Sequence, residues 1–203
     1  RLAQIECPAD IETITVADSF IGQPSSPAEP AISAPDAALV LQMSTLWGGV
    51  TCREIEASEC IFMEPVTAER TQTGCVRFSW VPPGSVVPRP FRCQPALAIE
   101  QAGAANDPPR AQQIARRTLP LFVSVDPNEA TYGRLIASHN DAIWRGGENQ
   151  RSMGAFAHLD EPLREDFLRA NLPEYLRAGL AAGIFQELPY PPVNYGSHFQ
   201  PNA

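Results

Sequence analysis

The 203-residue sequence predicts a mainly β fold. A partial right-handed parallel β-helix, a solenoid, is expected over residues 1–95. An α+β C-terminal portion with short helices, over residues 96–203, is expected to pack on it or cap its open end. Three observations predict this. Four segments align on a serine, the apolar positions around that serine change parity, and the pattern turns helical beyond residue 95.

The aligned segments are "ITVADSFIG" (14–22), "LVLQMSTLWG" (39–48), "REIEASECIF" (53–62) and "GCVRFSWV" (74–81), superposed on Ser19, Ser44, Ser58 and Ser79. Three residues before each serine sits an aliphatic: Val16, Leu41, Ile55 or Val76. Two residues after it sits Ile21, Leu46, Cys60 or Val81. A straight strand sends alternate residues to opposite faces, so both positions point inward only if the chain turns a corner near the serine. Short strand, corner, short strand is the rung of a solenoid whose rungs stack about 4.8 Å apart. The serines are spaced by 25, 14 and 21 residues (44−19, 58−44, 79−58). A full repeat usually takes about 20 or more residues, so the short step reads as two faces of one rung.

Between the repeats, "PSSPAEPAISAPDA" (24–37) and "PPGSVVPRPFRCQP" (82–95) read as Pro-rich excursions. "DPPRAQQIARRT" (107–118) predicts a short helix capped by Asp107, with prolines in its first turn. "LPLFVSV" (119–125) predicts a buried strand. From Asp160, Leu163, Phe167 and Leu168 mark an apolar helical face that Pro173 splits. Leu172, Tyr175, Leu176 and Leu180 continue that face in a second short helix, and an apolar tip, "GIFQEL", follows. These faces are the expected cap over the open end of the solenoid.

Composition restricts the function. The net charge of −8 speaks against nucleic acid and against an anionic membrane surface. No stretch approaches the roughly 20 apolar residues of a membrane-spanning helix, so no membrane insertion is expected. All 15 basic residues are arginine, which coding bias explains; without lysine the chain has no Schiff-base or P-loop chemistry of its own. The start lacks an initiator methionine and an apolar signal core, which reads as a beginning inside a longer protein. The five cysteines, Cys7, Cys52, Cys60, Cys75 and Cys93, are odd in number and irregular in spacing. They read as reduced thiols in a cytoplasmic, reducing compartment, at least during assembly, with Cys60 and Cys75 buried. His139, His158 and His198 stand far from them, so neither a metal nor a cofactor is expected.

"SECIFMEPVTAERTQTGCVRFSWVPPGS", "FRCQP" and "MGAFAHLDEPLREDFLRANLPEYLRAGLAAGIF" resemble an uncharacterised bacterial family of right-handed parallel β-helix proteins. The resemblance spans about residues 39–187. Members are typically the C-terminal part of longer chains, and some are encoded near phage-tail-like contractile injection systems. The resemblance therefore implies a structural or interaction module whose partners are other protein subunits of a larger assembly.

The chemistry-bearing residues support no reaction. In "TGCVRFSW", Val76, Phe78 and Val81 have core spacing and Arg77 points outward. Cys75 there reads as an inert thiol and not as a nucleophile activated by Arg77. A carbohydrate-active β-helix, a lyase, hydrolase or glycan binder, is the alternative. Its candidate carboxylates are Asp18, Glu54, Glu56, Glu59, Glu64 and Glu69, with Arg53, Arg70 and Arg77 nearby. Glu54 and Glu56 share the outward face, where solvated surface is the plainer reading. "WRGGENQRSMGAF" (144–156) offers Arg145, Glu148, Asn149 and Arg151 as a pocket rim, and a turn fixed by an Arg–Glu pair is expected. His158 precedes Asp160, which reads as a helix cap. Trp47, Trp80 and Trp144 are expected in the core or an interface. No catalytic, cofactor or metal residue is assigned. Phe91 and Arg92, an aromatic and an arginine in the second excursion, are the expected partner contact.

Overall fold

The computed structural model describes residues 4–7, 10–22, 30–136 and 140–184. Residues 24–29 of the first excursion, His139, His198 and the apolar tip from Phe185 onward lie outside the described residues. The strands are β1 (Ile5–Glu6), β2 (Thr13–Ala17), β3 (Phe20–Gly22), β4 (Ile32–Gln42), β5 (Thr45–Trp47), β6 (Val50–Ser58), β7 (Ile61–Phe62), β8 (Val66–Ala68), β9 (Gly74–Arg77) and β10 (Pro90–Phe91). The helices are α1 (Ala96–Gln101), α2 (Pro108–Arg117), α3 (Asp141–Trp144) and α4 (Glu161–Asn171).

This corrects the expected fold class. The chain is mixed α/β with substantial strand content, and no right-handed β-helix is closed: the strands form two parallel sheets, of seven and three strands. The seven-stranded sheet runs β1-β4-β6-β9-β10, with β2 also on β4 and β8 also on β6; the three-stranded sheet runs β3-β5-β7. The physical reason lies in the short strands. Those of the second sheet hold two or three residues, and irregular links return the chain to the first sheet, so no continuous wall closes a solenoid.

Five strands, β2, β4, β6, β9 and β10, end in the same corner. Asp18, Met43, Glu59, Phe78 and Arg92 have φ of 47°, 43°, 56°, 48° and 52°, the left-handed region that costs an L-residue about 1–2 kcal/mol. The next residue is Ser19, Ser44, Cys60, Ser79 or Cys93. Its hydroxyl or thiol turns back to the carbonyl two residues earlier, at 2.7 Å from Ser19 to Ala17 and 3.5 Å from Cys93 to Phe91. The same atom receives the backbone N–H of the preceding repeat: Ser19 N donates to Ser44 Oγ (3.3 Å) and Cys60 N to Ser79 Oγ (3.0 Å). Backbone hydrogen bonds from Ser44 and Ser79 reach the Cys60 and Cys93 sulfurs. The ladder therefore runs through all five corners.

The ladder moves one alignment. Ser58 is not a corner residue, since Cys60 occupies that place. Val16, Leu41, Ala57 and Val76 are in register, and Ile55 pairs with Leu39 instead. Likewise Ile21, Leu46 and Phe62 form one column.

Both faces of the three-stranded sheet are buried. Ile21, Leu46 and Phe62 face the core shared with the long strands. Phe20, Trp47, Ile61, Met63 and Trp80 face a second core containing Phe122, Ile143, Met153 and Ala155. Phe20 lies 4.5 Å from the Tyr132 ring and Trp47 lies 5.5 Å from the Phe122 ring, centroid to centroid. Gly74, the turn residue of "TGCVRFSW", has φ 81°, and a Cβ there would lie 2.0 Å from the Ile55 carbonyl oxygen. Glycine is required to bring β9 onto β6.

Further expectations change. Cys75 pairs with Glu56 on the outward side and is half-buried, not buried. Phe78 is a half-buried corner residue. Residues 32–37 belong to β4, with Pro35 in a register shift between Ala34 and Ala38, where an irregularity tolerates proline. The second excursion is in part a paired repeat, because Pro90 and Phe91 pair with Val76 and Arg77. Residues 119–125 form two isolated bridges, Phe122 to Leu135 and Ser124 to Tyr132, and not a strand. Helix α2 forms as expected, with Asp107 accepting from Arg110 N at 3.2 Å. Asp160 precedes α4 in a left-handed conformation and makes no side-chain cap.

The ladder predicts a graded response at residue 79. Ser79→Ala leaves the buried Cys60 N–H without its acceptor and should cost about 1–3 kcal/mol. Ser79→Cys should lose less, because a thiol fills the equivalent place in two other repeats. Urea unfolding of the three proteins checks the order, and equal losses for Ala and Cys would contradict the ladder.

Candidate functional site

The stacked corners carry the site. The strands that end in them are in register, and residues 145–160 contact several of the corners as a strap. At its end, His158 Nδ1 lies 3.3 Å from Asp18 Oδ1. Ala155 N donates to Thr45 Oγ1 (3.1 Å), and Gly154 N donates to the Glu59 carbonyl (2.7 Å). The Glu59 carboxylate then accepts the Glu148 N–H at 2.8 Å. Beyond it, Phe78 and Arg92 help line an open cleft of about 450 Å³ with Arg145 and residues 146–150.

The glycines of the strap allow this close approach. A Cβ on Gly146 would lie 1.9 Å from the Ala142 carbonyl oxygen, so Gly146 folds directly back over α3. Asn149 and Gln150 follow with φ of 58° and 62°. Two consecutive left-handed residues persist where their surroundings dictate them.

Charge in the cleft is largely committed. Arg145 grips Asp166 of α4 through two hydrogen bonds, at 2.6 and 2.7 Å. That contact holds the Asp166 carboxyl below its ordinary range and raises the Arg145 guanidinium. The expected Arg–Glu pair is therefore replaced: Arg145 binds Asp166, and Glu148 contributes its backbone N–H to Glu59. Arg151 lies 2.7 Å from Asp160, away from the cleft lining. His158 meets Asp18, not Asp160.

Glu59, one of the six candidate carboxylates, is buried at the third corner, 6% exposed. Burial pushes its carboxyl above the ordinary 4.5, against the Glu148 hydrogen bond and the Arg151 charge that pull it down. No local motif marks it. The signal was its place between Ser58 and Cys60, hidden while Ser58 stood for the corner.

The other candidates disperse. Glu54 pairs with Arg70 (2.9 Å) and approaches Arg53 (3.9 Å) on the outer face, while Glu56 is exposed on the same wall, beside Val40 and Cys75. Arg77 is exposed and donates to Ser58 Oγ at 3.2 Å. The three tryptophans are buried. Burial raises the Cys60 thiol to about 12 and those of Cys52 and Cys93 to about 11, which suits packing and not nucleophilic attack. Phe91 is 60% exposed and meets Phe78 edge-on, with centroids 5.7 Å apart. Arg92 is exposed at the fifth corner. Among the described residues, no cluster of three His, Cys, Asp or Glu is placed to hold a metal ion, and no helix is long and apolar enough to cross a membrane.

No protein-family model matches the chain, and neither a curated protein nor a solved structure matches it significantly.

The Glu59 anchor predicts a pH signature. An acid whose folded pKa is raised favours the protonated folded state, so its contribution is full below pH 4.5 and declines as pH rises through the folded pKa. Glu59→Gln keeps an oxygen for the Glu148 N–H and removes that titration. Wild-type stability relative to Glu59→Gln should therefore fall from pH 4.5 to pH 7, as read by chemical unfolding. A relative gain over that window would show that Glu59 is held as a stabilised anion.

Proposed function

We propose that the chain is a non-catalytic structural and interaction module, the C-terminal part of a larger protein that works in a multi-subunit assembly. The observation that carries this is an apolar face left open to water. Phe167, Tyr175 and Leu180 are 73%, 83% and 63% exposed, and Leu163 and Leu168 extend the same region. These faces were expected to cap the sheets, but of α4 only Pro162 is buried, and Phe122, Ile143 and Met153 cover the short sheet instead. Several large apolar side chains exposed on one short stretch of chain support an interaction surface there.

Phe91 and Arg92 belong to the same reading, as a second contact for a neighbouring subunit; exposed aromatics and arginines are the residues that anchor interfaces. The resemblance of residues 39–187 supports a contractile injection apparatus as the assembly. The carbohydrate-active alternative draws no support from the carboxylates, because Glu54 is paired with arginine and Glu56, exposed on the outer wall, has no ion pair among the described residues.

The test is co-production of the full-length protein with the subunits of the neighbouring injection apparatus. Phe167→Glu with Tyr175→Glu should leave the fold unchanged and reduce co-purification at least tenfold. Undiminished assembly, together with cleavage of an acidic polysaccharide that Glu54→Gln/Glu56→Gln abolishes, would replace this function with the enzymatic one.

A further inference from the structure

The cleft beside Phe78 and Arg92 contains a polar group that the fold does not use. Ile61 pairs with Trp80 and Trp80 with Gln94, and the first two belong to the second core. Gln94 brings a carboxamide to that column, only 6% exposed, and lines the cleft. Its Oε1 accepts the Ala98 N–H at 3.3 Å, which fixes the orientation of the amide. Its Nε2 donates to no described residue. A side-chain donor enclosed to this degree normally has an acceptor.

Two more carboxamides line the same cleft from the strap. Asn149 and Gln150 are exposed there, and neither side chain bonds to a described residue. Their left-handed backbone lies outside the corner column, and conformations of that kind collect at ligand clamps. Phe78 and Leu97, both half-buried, give the lining an apolar side. Charge then decides the class of ligand. Arg92 and Arg145 stand against Asp141 and Glu148 in the lining, and Arg145 is already held by Asp166. That balance leaves no cationic surplus for a phosphate or a polyanion.

We propose that this cleft binds a neutral saccharide. Gln94, Asn149 and Gln150 take its hydroxyls, and Phe78 and Leu97 take its apolar face. A carboxamide both donates and accepts, and so does a hydroxyl. One sugar ring therefore satisfies amides that reach it from two separate elements, the turn before α1 and the strap. The C–H face of the same ring is apolar and packs on an aromatic side chain. A volume of about 450 Å³ is within the range of small-molecule sites. The site is remote in sequence from Glu54 and Glu56 and goes beyond the module reading, which rests on α4.

The probes are the neutral disaccharides maltose, cellobiose, lactose and N,N′-diacetylchitobiose, titrated into the full chain and followed by amide NMR. At least one of them should shift the side-chain amide signals of Gln94, Asn149 and Gln150 saturably. Asn149→Gly/Gln150→Gly keeps the left-handed backbone, which glycine adopts freely, and should weaken binding at least fivefold. Gln94→Glu keeps an oxygen for the Ala98 N–H, removes the free donor and should weaken binding as well. No saturable shift at these amides with any of the sugars at tens of millimolar would overturn the proposal. So would unchanged affinity in the glycine double variant, or tighter binding of galacturonate or inorganic phosphate than of the neutral sugars. Phe167→Glu/Tyr175→Glu should bind the sugar as wild type does. If the sugars fail while that variant still loses its assembly, the saccharide site falls and the module reading stands.

Discussion

The structure depends on a backbone constraint: five residues, one per repeat, must hold the left-handed conformation where a strand of the seven-stranded sheet turns into the next segment. Aspartate adopts it with least resistance, yet only Asp18 is of that type; Met43, Glu59, Phe78 and Arg92 are not. Each costs about 1–2 kcal/mol in isolation, and the ladder of hydroxyls and thiols behind them offsets that cost. A small side chain with one polar atom suits this place, because it must reach its own carbonyl and the neighbouring N–H inside a close-packed core. That requirement explains why serine and cysteine exchange along the column.

The corners also organise the C-terminal portion. A single strap meets Asp18 through His158 and borders the cleft that Phe78 and Arg92 line, and Glu59 fixes its middle with a buried carboxylate. The strap and α3 supply Ile143, Met153 and Ala155 to the second core, so the short sheet is buried on both faces although its strands are only two or three residues long. Such strands would be marginal with one face in water. The apolar residues of α4, by contrast, take no part in this packing: of the helix only Pro162 is buried.

Much of the first core was legible. Val16, Leu41 and Val76 are in one column because aliphatics three residues before a serine recorded the corner correctly. The third repeat slipped by two residues, and a two-residue slip keeps every side chain on its face, so hydrophobic pattern alone does not detect it. The same slip concealed Glu59. Helix α2 was legible from Asp107 and two prolines, whose effects are local. The destination of α4 was not, because an apolar helical face says that something covers it without saying what. Proline misled at Pro35 and Pro90, which sit at a strand irregularity and a strand start, positions that need no amide hydrogen. The partial β-helix expected over residues 1–95 is not what forms, because repeat spacing specifies parallel stacking of strands and not the regularity of the links between them.

The corner column is most directly tested by the NMR signature of positive φ at Asp18, Met43, Glu59, Phe78 and Arg92. A left-handed residue brings its own amide and α protons close and gives a strong intraresidue Overhauser effect between them. All five residues should show it, with Ser58 showing the weak effect of an extended strand. A strong effect at Ser58 and weak ones at Glu59 and its four equivalents would contradict the corner ladder and the strap built upon it.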